Sequence, residues 1–218
     1  MASAAIVGGF GSTYGPKVVH GTPVPWIIHL HAVIFASWLA VFIAQTTLVL
    51  AGRTDVHRRL GVASIGLAAL MLVVGIATAI SEARLGHRGI PGVEFPDAEG
   101  FLLLNINATL VFATLVAAGW YFRRNSQAHK RLMVMAVAGA LVGPGVSRLP
   151  FVSGNTPLIG GLVIAFLLAG PLYDLVTRRR IHPAYICSFL LAVVAIPPVA
   201  GQLASTAAWH RLASWLIR

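Results

Sequence analysis

The chain has 218 residues, 57% hydrophobic and 10% charged, with a mean hydropathy of +0.83. Soluble domains are roughly 45–50% apolar and about 25% charged, so this balance excludes a disordered, collagen-like or disulfide-rich secreted chain and an ordinary cytosolic enzyme. Sixteen Lys and Arg against six Asp and Glu give a formal +10. On a soluble domain that excess would point to nucleic acid. On a membrane protein it points to a basic cytoplasmic face meeting anionic headgroups, and no nucleic-acid partner is expected.

In chain order, residues 1–25 lack the charged n-region and compact apolar h-region of a cleavable signal, and read as an external, Gly-rich tail. Apolar blocks follow at Trp26–Leu50, Leu60–Ile80, Phe101–Phe122, Leu132–Val146, Leu158–Val176 and Ala184–Leu203, each bounded by charge, Gly or Pro. A membrane-crossing helix needs about 20 apolar residues. Lipid offers no partner for open backbone groups, and no period of two is seen, so the blocks read as helices. The expected fold is all-α: one polytopic domain over 26–204, about six transmembrane helices in three hairpins. In 205–218, Trp209, Leu212 and Leu216 share a helical stripe with Trp215 nearby, as in an interfacial amphipathic segment.

The connections alternate in charge. The first, third and fifth carry Arg53, Arg58, Arg59, then Arg123, Arg124, Lys130, Arg131, then Arg178, Arg179 and Arg180, which are ten of the sixteen basic residues. The positive-inside rule makes that side cytoplasmic and puts both termini outside. The single Cys187 excludes a disulfide framework.

The second helices of the hairpins begin alike. His57-Arg58-Arg59-Leu60 matches His129-Lys130-Arg131-Leu132, and His182-Pro183-Ala184-Tyr185 is a degraded third copy. Thr54 and Ser126, three residues before their histidines, are expected N-caps that put His57 and His129 in the first turn. Pro144 and Pro197 each lie fifteen residues after a histidine, about 22 Å along a helix. Interrupted spans at corresponding places in repeats point to a transport or ligand site.

Three candidate sites follow. If the second helices pack together, His57, His129 and His182 converge and could hold a metal ion, or haem through two of them, although positive helix ends disfavour a cation. The same helix starts, with Arg53, Arg58, Arg59, Lys130, Arg131 and Arg178, suit a phosphate or an anionic lipid headgroup better. In the outer half, His31, Trp38 and Gln45 share one face of the first span, near Asn105, Asn107, Pro144, Arg148 and Gln202. Freed carbonyls, one guanidinium, amides and an imidazole there would bind a small polar ligand, with the loop 82–100 as a cover. Asp174 is expected to pair with Arg178, four residues on. No HExxH, P-loop, GxSxG or CxxC pattern occurs.

His57-Arg58-Arg59-Leu60-Gly61, His129-Lys130-Arg131-Leu132-Met133 and Tyr173-Asp174 before His182-Pro183-Ala184 resemble segments of multi-pass bacterial membrane proteins of unknown function that carry an HRxLG motif after the first span. The resemblance covers the inner ends of the three hairpins. It implies about six helices in a bacterial inner membrane and brings no activity. The leading reading is a non-catalytic membrane component that binds lipid, a small ligand or partner subunits. The alternatives are a metal- or haem-dependent redox protein using the inner histidines, and a small-molecule transporter built on the broken fourth and sixth helices.

Overall fold

The structure, a computed structural model, describes residues 2–20, 24–90 and 92–218. It is an all-α bundle. Its order is α1 (Ala2–Val19), α2 (Trp26–Leu50), α3 (Thr54–Arg84), a two-stranded hairpin of β1 (Gly89–Ile90) and β2 (Val93–Glu94), α4 (Ala98–Tyr121), α5 (Ser126–Ala140), α6 (Val142–Val146), α7 (Thr156–Arg178), α8 (Pro183–Ala192), a 3-10 turn Val193–Ala195, α9 (Pro197–Ala204) and α10 (Ala207–Ile217).

Four of these, α2, α3, α4 and α7, are long and apolar enough to cross a membrane, with mean hydropathy of 2.0–2.4 over their best segments. A fifth span forms if α8 and α9, bent by 50° at their junction, count as one. The expected sixth span does not meet this standard. Its segment is split into α5, 15 residues, and α6, five residues. Fifteen residues rise only about 22 Å, less than the roughly 30 Å hydrocarbon core. The break has a chemical cause: Pro144 has no N–H for the carbonyl of Ala140 and its ring crowds it, so α5 ends at Ala140. At the other break, Ile196 before Pro197 takes an extended backbone, φ −86° and ψ 140°, as a residue preceding proline prefers.

Neighbouring helices α2, α3, α4 and α5 pack side by side, α5 also meets α7 and α8, and α4 meets α9. The short α5 is therefore central. Ala128, Leu132, Met135, Ala136 and Ala138 on it join the main core with Met71 of α3, Phe112 and Leu115 of α4 and Tyr185 of α8. A short helix surrounded by protein leaves no backbone polar group open to lipid.

The N-terminal end of the chain differs from expectation. The anticipated N-terminal tail forms α1, which lies against α6; Met1 and residues 21–23 of that tail are outside the described residues. Glycine makes the crossing close, since a Cβ on Gly9 would fall 1.8 Å from the carbonyl oxygen of Gly145. The C-terminal segment folds as α10, N-capped by Thr206 and laid across α3 and α4. Its inward stripe is Trp209, Ala213 and Leu216, while Leu212 and Trp215 face outward. Arg84 donates to the carbonyls of Leu216 and Ile217, and the Trp209 indole donates to the carbonyl of Glu99. A hydrogen bond from His210 Nδ1 to the Glu99 carboxylate completes the latch.

Candidate functional site

At the basic end, α5 enters the core carrying a guanidinium. Arg131 donates from Nε to Asp174 Oδ2 at 2.7 Å and from Nη2 to Oδ1 at 2.7 Å, and its third nitrogen, Nη1, donates to the carbonyl and side-chain oxygens of Gln127 at 2.7 and 2.9 Å. The side chains of Arg131 and Asp174 are only 3% and 4% exposed. The Tyr185 ring stacks under the guanidinium at 5.7 Å. This corrects two expectations. Asp174 has Arg131 as its main partner, and Arg178 only adds a 3.5 Å contact from a side chain that is 41% exposed. Arg131, expected among the headgroup-facing residues, is buried instead. Helical spacing alone shows an i, i+4 partner, whereas a bidentate partner 43 residues away appears only when α5 and α7 meet.

Around this pair opens a cleft of about 390 Å³, lined among others by Gln127, Arg178, Arg180 and His182. Its formal charges are Arg131, Arg178 and Arg180 against Asp174, a net +2. Sequence reading missed Arg180, Gln127 and Asn125 as lining residues; the run Arg178-Arg179-Arg180 was the only signal. The turn between α7 and α8 aims them. Arg179 caps α7 at φ 56° and ψ 19°, a left-handed conformation that is costly for a residue with a Cβ. His182 is the N-cap of α8, its Nδ1 accepting from the amide of Ala184 at 3.1 Å. That leaves Nε2 to carry the proton of the neutral ring. Burial, then the Arg131 charge, holds its pKa below the ordinary 6.5.

The three inner histidines therefore do not converge. His57 and His129 meet edge to face, ring centroids 6.1 Å apart, while His182 serves the α8 cap in the cleft. Among the described residues no group of three His, Cys, Asp or Glu is placed to hold a metal ion. His129 Nδ1 donates to the carbonyl of Gly119 at 2.8 Å. The N-caps also sit one residue earlier than expected, at Arg53 and Asn125; the Asn125 side chain accepts from the amides of Gln127 and Ala128. Gln45, expected in the outer pocket, is at this basic end. With its amide oriented for best bonding, its nitrogen donates to His57 Nδ1 at 2.6 Å and its oxygen accepts from Gly61 N at 2.9 Å. Arg53, Arg58 and Arg59 stay exposed at the start of α3, away from the cleft, and Arg53 pairs loosely with Asp55 at 3.8 Å.

The outer group is also redistributed. Asn105 bonds back to the carbonyl of Phe101, and Gln202 is exposed. Asn107 donates to the carbonyl of Val194 at 2.8 Å, the carbonyl that Pro198 leaves without a helical donor. Arg148 donates to the carbonyl of Pro144 at 2.7 Å, covers the Phe10 ring at 4.8 Å, and lies within electrostatic reach of His31 and Glu82. His31 stacks on Phe35 at 3.8 Å. Among the described residues, four buried polar atoms here and just below have no hydrogen-bond partner: His31 Nδ1, Trp38 Nε1, Thr78 Oγ1 and Glu82 Oε1. The hairpin of the loop docks on the start of α7, with Thr156 donating to the carbonyl of Gly92 at 2.6 Å, and Val93 packs against the cluster of Val146 and Ile159.

The chain matches no family model, and no curated protein and no solved structure matches it either. Four to five apolar helices make it a multi-pass membrane protein on its own physical grounds.

Proposed function

We propose that this protein is a non-catalytic component of a bacterial inner membrane that binds an anion, a phosphate or carboxylate group, in the cleft around Arg131 and Asp174. The observation that carries the reading is the cleft itself. Its size falls at the lower end of ligand sites, about 300–1,000 Å³, and it gathers three guanidiniums and one carboxylate beside an imidazole. Arg131 is already bonded on every nitrogen, so it supplies field and rigidity while Arg178 and Arg180 supply free donors. Arginine forks match phosphate and carboxylate oxygens in pairs. With the basic end cytoplasmic, the cleft faces the anionic leaflet and any partner subunit on that side.

The test is stabilisation of the detergent-purified protein by inorganic phosphate and glycerol 3-phosphate. Both are expected to raise the melting temperature, and Arg178→Gln with Arg180→Gln should abolish the gain. Indifference to both anions overturns the reading. Topology is checked by single introduced cysteines: Arg88→Cys should label from outside and Arg124→Cys from inside, and labelling of both from one side refutes the orientation.

A second reading is favoured by the four unpartnered polar atoms of the outer half. Buried polar groups are almost always bonded, so His31 and Glu82, within electrostatic reach of Arg148, and Thr78, one helical turn from Glu82, support a small polar guest or ordered water there. A ligand whose stabilising effect vanishes in Arg148→Ala would support this reading; a screen in which that variant behaves as wild type would reject it.

A further inference from the structure

The Arg131–Asp174 pair is shared by two cavities. On one side is the basic cleft already described. On the other is a smaller one of about 210 Å³, lined by Lys130, Val134, Tyr173 and Tyr185 in addition to the pair itself. Its lining is of a different kind. Val134 and Tyr173 are exposed, on flanks of α5 and α7 whose neighbours Leu172 and Val176 are exposed too. In a helix that crosses the bilayer, such a flank faces acyl chains. Tyr185 forms the inner wall, lying so flat on α7 that a Cβ on Gly170 would fall 2.6 Å from its hydroxyl. The pair thus divides a cationic chamber, at the connection between α7 and α8, from an apolar and aromatic groove one turn deeper that opens toward lipid.

We infer that the ligand is an anionic glycerophospholipid, its phosphate held by Arg178 and Arg180 and the first part of an acyl chain laid in the groove at Val134, Tyr173 and Tyr185. The inference rests on the anion site proposed above and names its occupant. A free phosphate would use the first chamber and leave the second empty; an amphiphile of this shape uses both, with the polar step falling at the depth where Arg131 and Asp174 sit. Lys130, at the mouth of the groove, lays its stem on apolar surface and keeps its ammonium at headgroup level. The ligand enters sideways from the bilayer, so no aqueous path to the groove is required.

The experiment compares three probes on the full chain in an uncharged detergent, by native mass spectrometry and thermal shift: glycerol 3-phosphate, dioleoyl phosphatidylglycerol and zwitterionic dioleoyl phosphatidylcholine. Phosphatidylglycerol should bind at least about tenfold more tightly than glycerol 3-phosphate and than phosphatidylcholine, a factor worth about 1.4 kcal/mol. Arg180→Gln should weaken phosphatidylglycerol and glycerol 3-phosphate by a similar factor. Val134→Trp, at a lipid-facing position, should weaken phosphatidylglycerol by about tenfold and leave glycerol 3-phosphate unchanged; Tyr173→Ala gives the same comparison if the tryptophan variant fails to fold. Glycerol 3-phosphate binding as tightly as the lipid, or a lipid affinity indifferent to both groove variants, overturns the inference and leaves the anion site standing. Equal binding of phosphatidylcholine, or no binding of either anion, overturns both.

Discussion

The two ends of this bundle bury polar groups in opposite ways. At the basic end, Arg131 and Asp174 are nearly sealed, yet every guanidinium nitrogen and both carboxylate oxygens are bonded. Toward the opposite end, Thr78 and Trp38 are 8% and 2% exposed, and their polar atoms, with His31 Nδ1 and Glu82 Oε1, have no protein partner among the described residues. A satisfied buried pair locks two helices in one register and resists change. Orphaned groups carry an unreturned desolvation cost, which a guest or a water can recover. The first arrangement is a rigid frame beside a basic cleft; the second leaves polar groups without a protein partner among the described residues.

The largest expected effect breaks the frame. Asp174→Ala leaves a guanidinium buried without its carboxylate and should cost about 3–5 kcal/mol in denaturant unfolding, whereas Arg131→Met with Asp174→Leu together should cost far less. Arg178→Ala, at the partner expected from helical spacing, should cost under about 1 kcal/mol because that side chain is largely solvated. Equal losses for Asp174→Ala and Arg178→Ala would reverse the assignment of partners.

Next is the carbonyl freed by proline. Asn107→Leu should cost about 1 kcal/mol, the net worth of one hydrogen bond. Adding Pro197→Ala with Pro198→Ala should recover much of it, because the helix can then run through Ile196 and bring an amide to the Val194 carbonyl. Strictly additive effects of the asparagine and proline changes would sever that link.

The pH response is smaller and tests the cleft. The folded pKa of His182 lies below 6.5, so the unfolded chain takes up its proton first as pH falls. Its stabilising share is therefore complete above about 6.5 and is lost from there down toward the lowered folded value. A bound anion opposes this by favouring the imidazolium. Affinity for phosphatidylglycerol, a phosphodiester with no proton of its own to gain in that window, should rise as pH falls through it, and His182→Gln should flatten the profile. Thr78→Val should bring the smallest change, neutral to slightly stabilising in the ligand-free protein, since it removes a hydroxyl with no partner. A loss of more than about 1 kcal/mol would show that the hydroxyl is satisfied by water or a guest.

Much of the fold is legible along the chain. The apolar blocks at 26–50, 101–122 and 158–176 correspond closely to α2, α4 and α7, because block length and bounding charge act locally. Pro144 and Pro197 mark both helix breaks, since a missing N–H needs no tertiary context. The fourth block misleads for the same local reason: Leu132–Val146 reads as one apolar span, whereas α5 and α6 are separate helices packed mostly against protein, with Val134 exposed. Apolarity cannot distinguish lipid on a flank from protein. The N-terminal segment misleads in the other direction, its glycines reading as looseness until Gly9 meets Gly145.

The candidate sites were less legible still. Equal spacing after three charged turns placed the histidines in one family, but His182 is a cap and His57 and His129 are first-turn side chains, and that offset separates them. What the sequence by itself determined is the class of the molecule, an all-α membrane bundle with one basic end, because hydropathy and charge are additive along a chain. Only the tertiary structure decided that Arg131 leaves the basic belt for Asp174, that Arg180 and His182 face a cleft, and that His31, Trp38, Thr78 and Glu82 keep polar atoms without a partner among the described residues. Those outcomes depend on which helix lies against α5, and packing across 43 residues of separation leaves no periodic trace in the chain.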